Sequence, residues 1–151
     1  MEYNTSARGI NYQLKAKYDA AGEVAHGYCE ELLDKVNQGC CTIEDVNATV
    51  EKVVRAKYFL EDCVLQSNYF NYLGELSIAR MLGKDISEIK GIDLEAKCNG
   101  TSSVMTKKIL LFMFMNKELG IAISAEDAAN SYTLQDLSIL AFEQLSKRIS
   151  K

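Results

Sequence analysis

From Leu14 onward, apolar side chains recur at alternating spacings of four and three: Leu14, Tyr18, Ala21, Ala25, Tyr28 and Leu32. That period lays a single stripe along a helix and predicts one over about residues 10–37. Gly39 then supplies a residue suited to the left-handed conformation that ends helices, and Thr42-Ile43-Glu44-Asp45 carries the side chains to cap a second helix. In the second segment Val46, Val50, Val53, Leu60 and Val64 keep the helical period, with Lys57 interrupting it. So short a connection predicts an antiparallel helical hairpin.

A third periodic segment runs from about Tyr69 to Leu82 and is closed by Gly83. Residues 84–102 show no sustained period, which predicts a long ordered loop with one turn at 86–89. Loops of that length in compact domains commonly carry function. The next helix, about Ser103 to Leu119, has the centre Ile-Leu-Leu-Phe-Met-Phe-Met at 109–115. It is apolar all round, so burial on most sides is expected. Ser124 with Asp127, and Thr133 with Asp136, have N-cap spacing for a short helical turn and a last helix. That last helix carries Leu137, Ile139, Leu140, Phe142 and Leu145. The pattern predicts an all-α chain, an N-terminal helical hairpin over 1–68 followed by a helical bundle over 69–151.

Composition agrees with helix and narrows the chemistry. Proline is absent, so the strongest helix breaker is missing. The 17 basic and 21 acidic residues give a net charge of −4, and the surplus of acid lies entirely before residue 69. With no basic block, nucleic acid is not an expected partner. The longest apolar run, 109–115, is too short for a membrane span. Five cysteines form no C-x-x-C pair and His26 is the only histidine, so no metal site is expected. The odd cysteine count and the absence of an N-terminal apolar segment suggest reduced thiols and a cytoplasmic location. No Ser/His/Asp or Cys/His arrangement is at hand, so an enzyme is not expected. Cys98 reads as a passive loop thiol.

Three stretches carry a family resemblance. Ile78-Ala79-Arg80-Met81-Leu82-Gly83 followed by Ile86-Ser87-Glu88-Ile89, then Glu118 through Ala128, then Tyr132-Thr133-Leu134-Gln135-Asp136-Leu137 resemble acyl carrier proteins. They span about eighty residues, and the middle stretch is the most specific. The N-terminal hairpin has no counterpart in a minimal carrier. With it, the chain is similar to the acyl-carrier-related proteins of bacterial peptide-maturation, bacteriocin-like systems.

The resemblance implies an acyl-carrier-protein-like helical bundle and a serine bearing a 4'-phosphopantetheine arm at the start of the family's second helix. Counting forward from Leu82-Gly83 puts Ser103 on the attachment serine, with Ser102 as the alternative; counting back from Leu119 puts Met105 there. Ser102 and Val104 stand where the family has aspartate and leucine. Helix starts favour negative groups, which suits a phosphodiester on Ser103, and the same serines suit plain N-capping.

The implied function is to present a thioester-bound substrate to pathway enzymes or a precursor peptide after loading by a phosphopantetheinyl transferase. The alternative is a degenerate carrier fold without the prosthetic group, acting as an adaptor. Lys107 and Lys108 replace the family's acidic docking surface, so any partner there is expected to be acidic. Met105, Phe112, Met113, Phe114 and Met115 are candidates both for a pocket lining and for ordinary core. The tyrosine-rich hairpin is a candidate homodimer surface.

Overall fold

A computed structural model describes residues 2–89 and 103–149, with side chains from 13 and through 148. The described chain is all-helical. Its helices are α1 (Glu2–Asn37), α2 (Ile43–Lys57), α3 (Phe70–Leu82), α4 (86–89), α5 (Ser103–Leu119), α6 (Ala125–Ala129) and α7 (Leu134–Ile149).

α1 buries Ala21, Ala25, Cys29, Leu32 and Val36, one face at spacings of four and three. The stripe is therefore real from Ala21 onward, whereas Leu14 and Tyr18 are exposed. Gly39 takes the expected positive φ of 73°. Thr42 and Asp45 then form a reciprocal capping box: Thr42 Oγ1 accepts from the Asp45 N–H and the Asp45 carboxylate accepts from the Thr42 N–H. Three contacts fix the direction of α2. Lys35 pairs with Asp45 at 2.9 Å, Lys52 lies over the Tyr28 ring, and Lys17 lies over Phe59. Later residues of α1 meet earlier residues of α2, so the two helices run antiparallel.

α2 stops at Lys57, short of the Val64 that the periodicity suggested. Phe59 adopts φ 59°, and the Leu60 N–H bonds back to the Arg55 carbonyl at 2.8 Å, the closure of a left-handed helix stop. A phenylalanine in that conformation costs about 1 kcal/mol or more. Tyr18 packs edge-on against its ring at 5.2 Å, Lys17 covers it, and Leu60 beyond it is fully buried. These contacts hold the turn. Arg55 then donates to the carbonyls of Leu60 and Cys63, which folds the following loop back on α2 and leaves Val64 88% exposed.

α3 and α7 begin together. The Phe70 N–H donates to Tyr132 O and the Leu134 N–H to Asn68 O, around an antiparallel bridge between Tyr69 and Thr133. Asp136 accepts from the N–H groups of Tyr132 and Thr133, while the Asp136 N–H donates to Thr133 Oγ1; the expected cap of the last helix is present. α3 packs on α5 where Gly74 meets Val104. α2 lies on α7, and α1 touches both α5 and α7.

The expected boundary at 68/69 does not divide the core. Val46, Val50 and Leu32 belong to the same buried cluster as Leu73, Leu111, Met115 and Leu137. The hairpin supplies one wall of a shared interior, because the apolar faces of α1 and α2 need α5 and α7 to cover them. α5 departs from expectation in the other direction. Ile109, Leu110 and Met113 are 44%, 56% and 61% exposed, so a helix apolar on every side keeps one apolar side in solvent.

Candidate functional site

α5 presents three flanks, which follow from its turn of about 100° per residue. Val104, Leu111, Met115 and Leu119 face the core. Lys107, Phe114 and Glu118 face the hairpin and are half-buried. Met105, Ile109, Phe112, Met113 and Asn116 face α6 and line a cleft of ≈ 360 Å³. Its far wall is Ile123, Ser124, Ala125, Ala128 and Ala129.

Polar bonds around the 119–124 connection fix one end of this cleft. Asn116 donates from Nδ2 to Ile123 O at 3.1 Å and accepts at Oδ1 from the Ile123 N–H at 2.9 Å. Gln144 makes the matching pair with Ala122 at 2.7 and 2.9 Å. Arg148 donates to the carbonyls of Leu119 and Gly120 at the C-terminus of α5, where a cation suits both the orphan carbonyls and the helix dipole. The Ser124 hydroxyl caps α6 by accepting from the Asp127 N–H at 3.0 Å. The short α6 is thus fixed at a set distance from α5.

Ser103 is the first residue of α5 and its side chain is exposed. It shares the outward ridge with Thr106, Leu110 and Lys117, roughly 150° around the helix axis from the middle of the cleft flank. Ser102 and Cys98 lie outside the described residues. Met105, Phe112 and Met113 line the cleft; Phe114 turns toward the hairpin and Met115 is wholly core.

The lysine pair is not the exposed basic face expected from the sequence. Lys108 is only 7% exposed, because position 108 falls on the core side of α5 together with Val104 and Leu111. Its ammonium donates to Ala129 O at 3.3 Å, at the C-terminal end of α6, and stands between the Phe70 and Tyr132 rings at 5.8 and 5.6 Å. It holds α6 and the start of α7 against α5. Burial lowers its pKa, opposed by the charge of Asp136. Lys107 is half-buried over the Tyr58 ring at 5.4 Å; burial and the neighbouring Lys57 lower its pKa.

On the hairpin side His26 bridges two carboxylates, Glu30 at 2.8 Å on its own helix and Glu118 on α5. The Glu118 hydrogen bond and charge raise its pKa, with Glu30 adding to the effect. Tyr18, Lys57, Phe114 and Lys117 line the same open groove. In the sequence His26 stands out only as the sole histidine; the approach of Glu118, ninety-two positions away, carries no local signal. The Met105, Ile109, Phe112 and Asn116 spacing was visible, but nothing in it separated a cleft wall from core.

Among the described residues no group of His, Cys, Asp and Glu is arranged to hold a metal ion, and no helix is long and apolar enough to cross a membrane. No protein-family model, curated protein or solved structure matches the chain.

Proposed function

We propose that this chain is an acyl-carrier-related protein that presents a thioester-bound substrate on a 4'-phosphopantetheine arm at Ser103, in a peptide-maturation or acyl-transfer pathway. The observation that carries the reading is Ser103, an exposed residue at the start of a seventeen-residue helix, with an apolar cleft along that same helix. The order around it supports the reading too: α3, a turn at α4, then α5, a five-residue α6 and α7 is the helix order the resemblance implies.

The residues at hand fit the group. Ser103 is an exposed residue at a helix start, and the first turn of α5 has backbone N–H groups to favour a phosphodiester. The arm's thiol would supply the thioester bond. Met105, Ile109 and Met113 offer an adaptable apolar wall to whatever is tethered, since methionine side chains conform to varied shapes.

Intact-mass measurement after incubation with coenzyme A and a broad-specificity phosphopantetheinyl transferase tests the proposal. A mass gain that disappears in Ser103→Ala supports it. No gain with several transferases, or a gain that persists in Ser103→Ala, overturns the assignment.

One observation favours a second reading, an adaptor without the arm. Ile109, Leu110 and Met113 form a contiguous exposed apolar strip on a single helix, the kind of surface that marks a protein contact. Under this reading Ser103→Ala leaves pathway output intact, whereas Leu110→Glu or Met113→Glu abolishes it.

A further inference from the structure

We propose that the cleft between α5 and α6 is a binding site for a free amphiphilic carboxylate, a short aliphatic acid whose tail lies along Met105, Ile109 and Met113 and whose carboxylate accepts from the Lys108 ammonium. The ligand carries no thioester. The site therefore goes beyond the carrier reading and needs neither arm nor transferase.

A buried lysine in the wall of an apolar cleft is the observation behind it. Lys108 is 7% exposed and lines the cleft together with those three apolar side chains. Its Nζ stands 3.3 Å from the carbonyl oxygen of Ala129, which lines the opposite wall, so the charge sits where the two walls meet. An ammonium carries three N–H donors, and the bond to Ala129 is the one hydrogen bond found for Lys108 among the described residues. Lys108 belongs to no ion pair found among those residues.

Nothing around Lys108 supplies a full countercharge. The Phe70 and Tyr132 rings, at 5.8 and 5.6 Å, ease the burial of the cation but bring no negative ion. Asp136 acts on it without forming an ion pair, and its Oδ2 accepts instead from the N–H groups of Tyr132 and Thr133. Burial accordingly lowers the proton affinity of Lys108 against the pull of Asp136. Buried charges are normally paired, and a carboxylate entering the cleft would supply the missing partner through a charge-assisted hydrogen bond.

The rest of the cleft sets the ligand's tail. Lys108 is the only charged residue lining it, and Asn116 is committed to both backbone groups of Ile123. Its volume of ≈ 360 Å³ is near the lower end of the range for small-molecule sites, roughly 300–1,000 Å³, which suits a short chain. Methionine walls conform to such a chain. Glu126 and Asp127 on α6 oppose an anion, so the apolar tail supplies most of the affinity and the carboxylate sets the selectivity.

The test is titration of octanoate, 1-octanol and octylamine at neutral pH into the full, unmodified chain, followed by NMR of the methionine methyl groups. Octanoate is expected to shift Met105 and Met113 saturably and to leave the core residue Met115 unmoved. It should bind about tenfold more tightly than 1-octanol, the worth of one charge-assisted hydrogen bond, with octylamine weakest. Ala125→Leu fills the cleft from an exposed position and should abolish the response. Lys108→Met should erase the preference for octanoate over 1-octanol, and Lys108→Arg should keep it. No saturable shift at Met105 and Met113, 1-octanol binding as tightly as octanoate in the wild type, or a preference that survives Lys108→Met overturns the proposal. The comparison of the three ligands needs only the wild type, so it decides even where a Lys108 variant fails to fold. Because the probes are free and the chain is unmodified, failure here leaves the carrier reading standing, and failure of the mass test leaves this site standing.

Discussion

His26 on α1 hydrogen-bonds through Nδ1 to the Glu118 carboxylate on α5, joining the N-terminal hairpin to the helix that carries the candidate site. Glu118 and then Glu30 hold the imidazole above its ordinary value of 6.5, so the protonated form is favoured in the folded chain. The sign follows from linkage. A raised folded-state pKa stabilises fully below 6.5, and the contribution is lost as pH rises through the folded value. Relative to His26→Gln, the wild type should melt at a higher temperature below pH 6.5, with the difference vanishing above the folded pKa. His26 is the sole histidine, so one imidazole NMR signal reports its titration. A midpoint at or below 6.5 would contradict the bridge.

Gly74 has no room for a side chain. A Cβ there would sit 2.8 Å from Val104 Cγ1 and 3.3 Å from Val104 Cβ and Cγ2, where α3 crosses α5. Gly74→Ala gains about 1 kcal/mol of helix propensity. The overpacking it forces costs about 1–3 kcal/mol, and should win because Val104 is β-branched, short and 5% exposed. Urea denaturation should show a net loss of stability. Val104→Ala in the same chain should make Gly74→Ala neutral or stabilising, a coupling absent if the two sites are independent.

The sequence showed the helices well and the tertiary relationships poorly, for reasons visible in single residues. Thr42 with Asp45, Ser124 with Asp127 and Thr133 with Asp136 bond within three positions, so their caps were legible. Val64 was misleading because a period can continue by chance after a backbone stop, and no rule of spacing foresees a positive φ at Phe59. Lys108 was misread for a related reason. An amphipathic reading sends lysines to solvent, yet its long stem reaches the Ala129 carbonyl from a buried position. Of the candidate site, Ser103 and the cleft-lining Met105, Phe112 and Met113 were legible on α5. The opposite wall, α6, is brought in by the Asn116, Gln144 and Arg148 bonds on one side and by the Lys108 bond to Ala129 O on the other, which no local pattern encodes.

Asn116 tests how far the cleft depends on those bonds. Its side chain both donates to and accepts from Ile123, seven residues on, and half-buries the pair. Asn116→Ala leaves a backbone N–H and a carbonyl without these partners, at a cost of about 1–3 kcal/mol. Hydrogen exchange should speed up at Ile123 and across α6 by more than in the rest of the chain. Protection unchanged at α6 would mean that Gln144 and Arg148 suffice.

Ser77 and Tyr58 make opposite predictions from a single contact region. The Ser77 hydroxyl is buried and donates to Tyr58 O at 2.8 Å, so Ser77→Ala strands a carbonyl and should destabilise by about 1 kcal/mol. Tyr58 Oη, by contrast, is buried with no hydrogen-bond partner among the described residues, and its pKa is pushed well up by burial. Removing it costs no bond and ends the burial of an unsatisfied polar atom, so Tyr58→Phe should be neutral or stabilise by about 1 kcal/mol. The denaturation midpoint should fall for Ser77→Ala and stay level or rise for Tyr58→Phe. A Tyr58→Phe loss as large as that of Ser77→Ala would show that the hydroxyl has a partner after all.

The thiols should separate by environment when labelled in the native chain. Cys29 has no exposed surface, and burial pushes its pKa up to about 12, with the charge of Glu118 adding to the effect. At neutral pH it is therefore a thiol packed in the core, neither ionised nor reachable. Cys40, in the turn between α1 and α2, is exposed. Mass-mapped alkylation should modify Cys40 within the native state, while Cys29 reacts only as fast as the chain unfolds, so its rate should follow denaturant concentration. Native labelling of Cys29 at a rate near that of Cys40 would mean that α1 detaches from α5 without global unfolding, which would identify the hairpin as a mobile cover over the helix bearing Ser103.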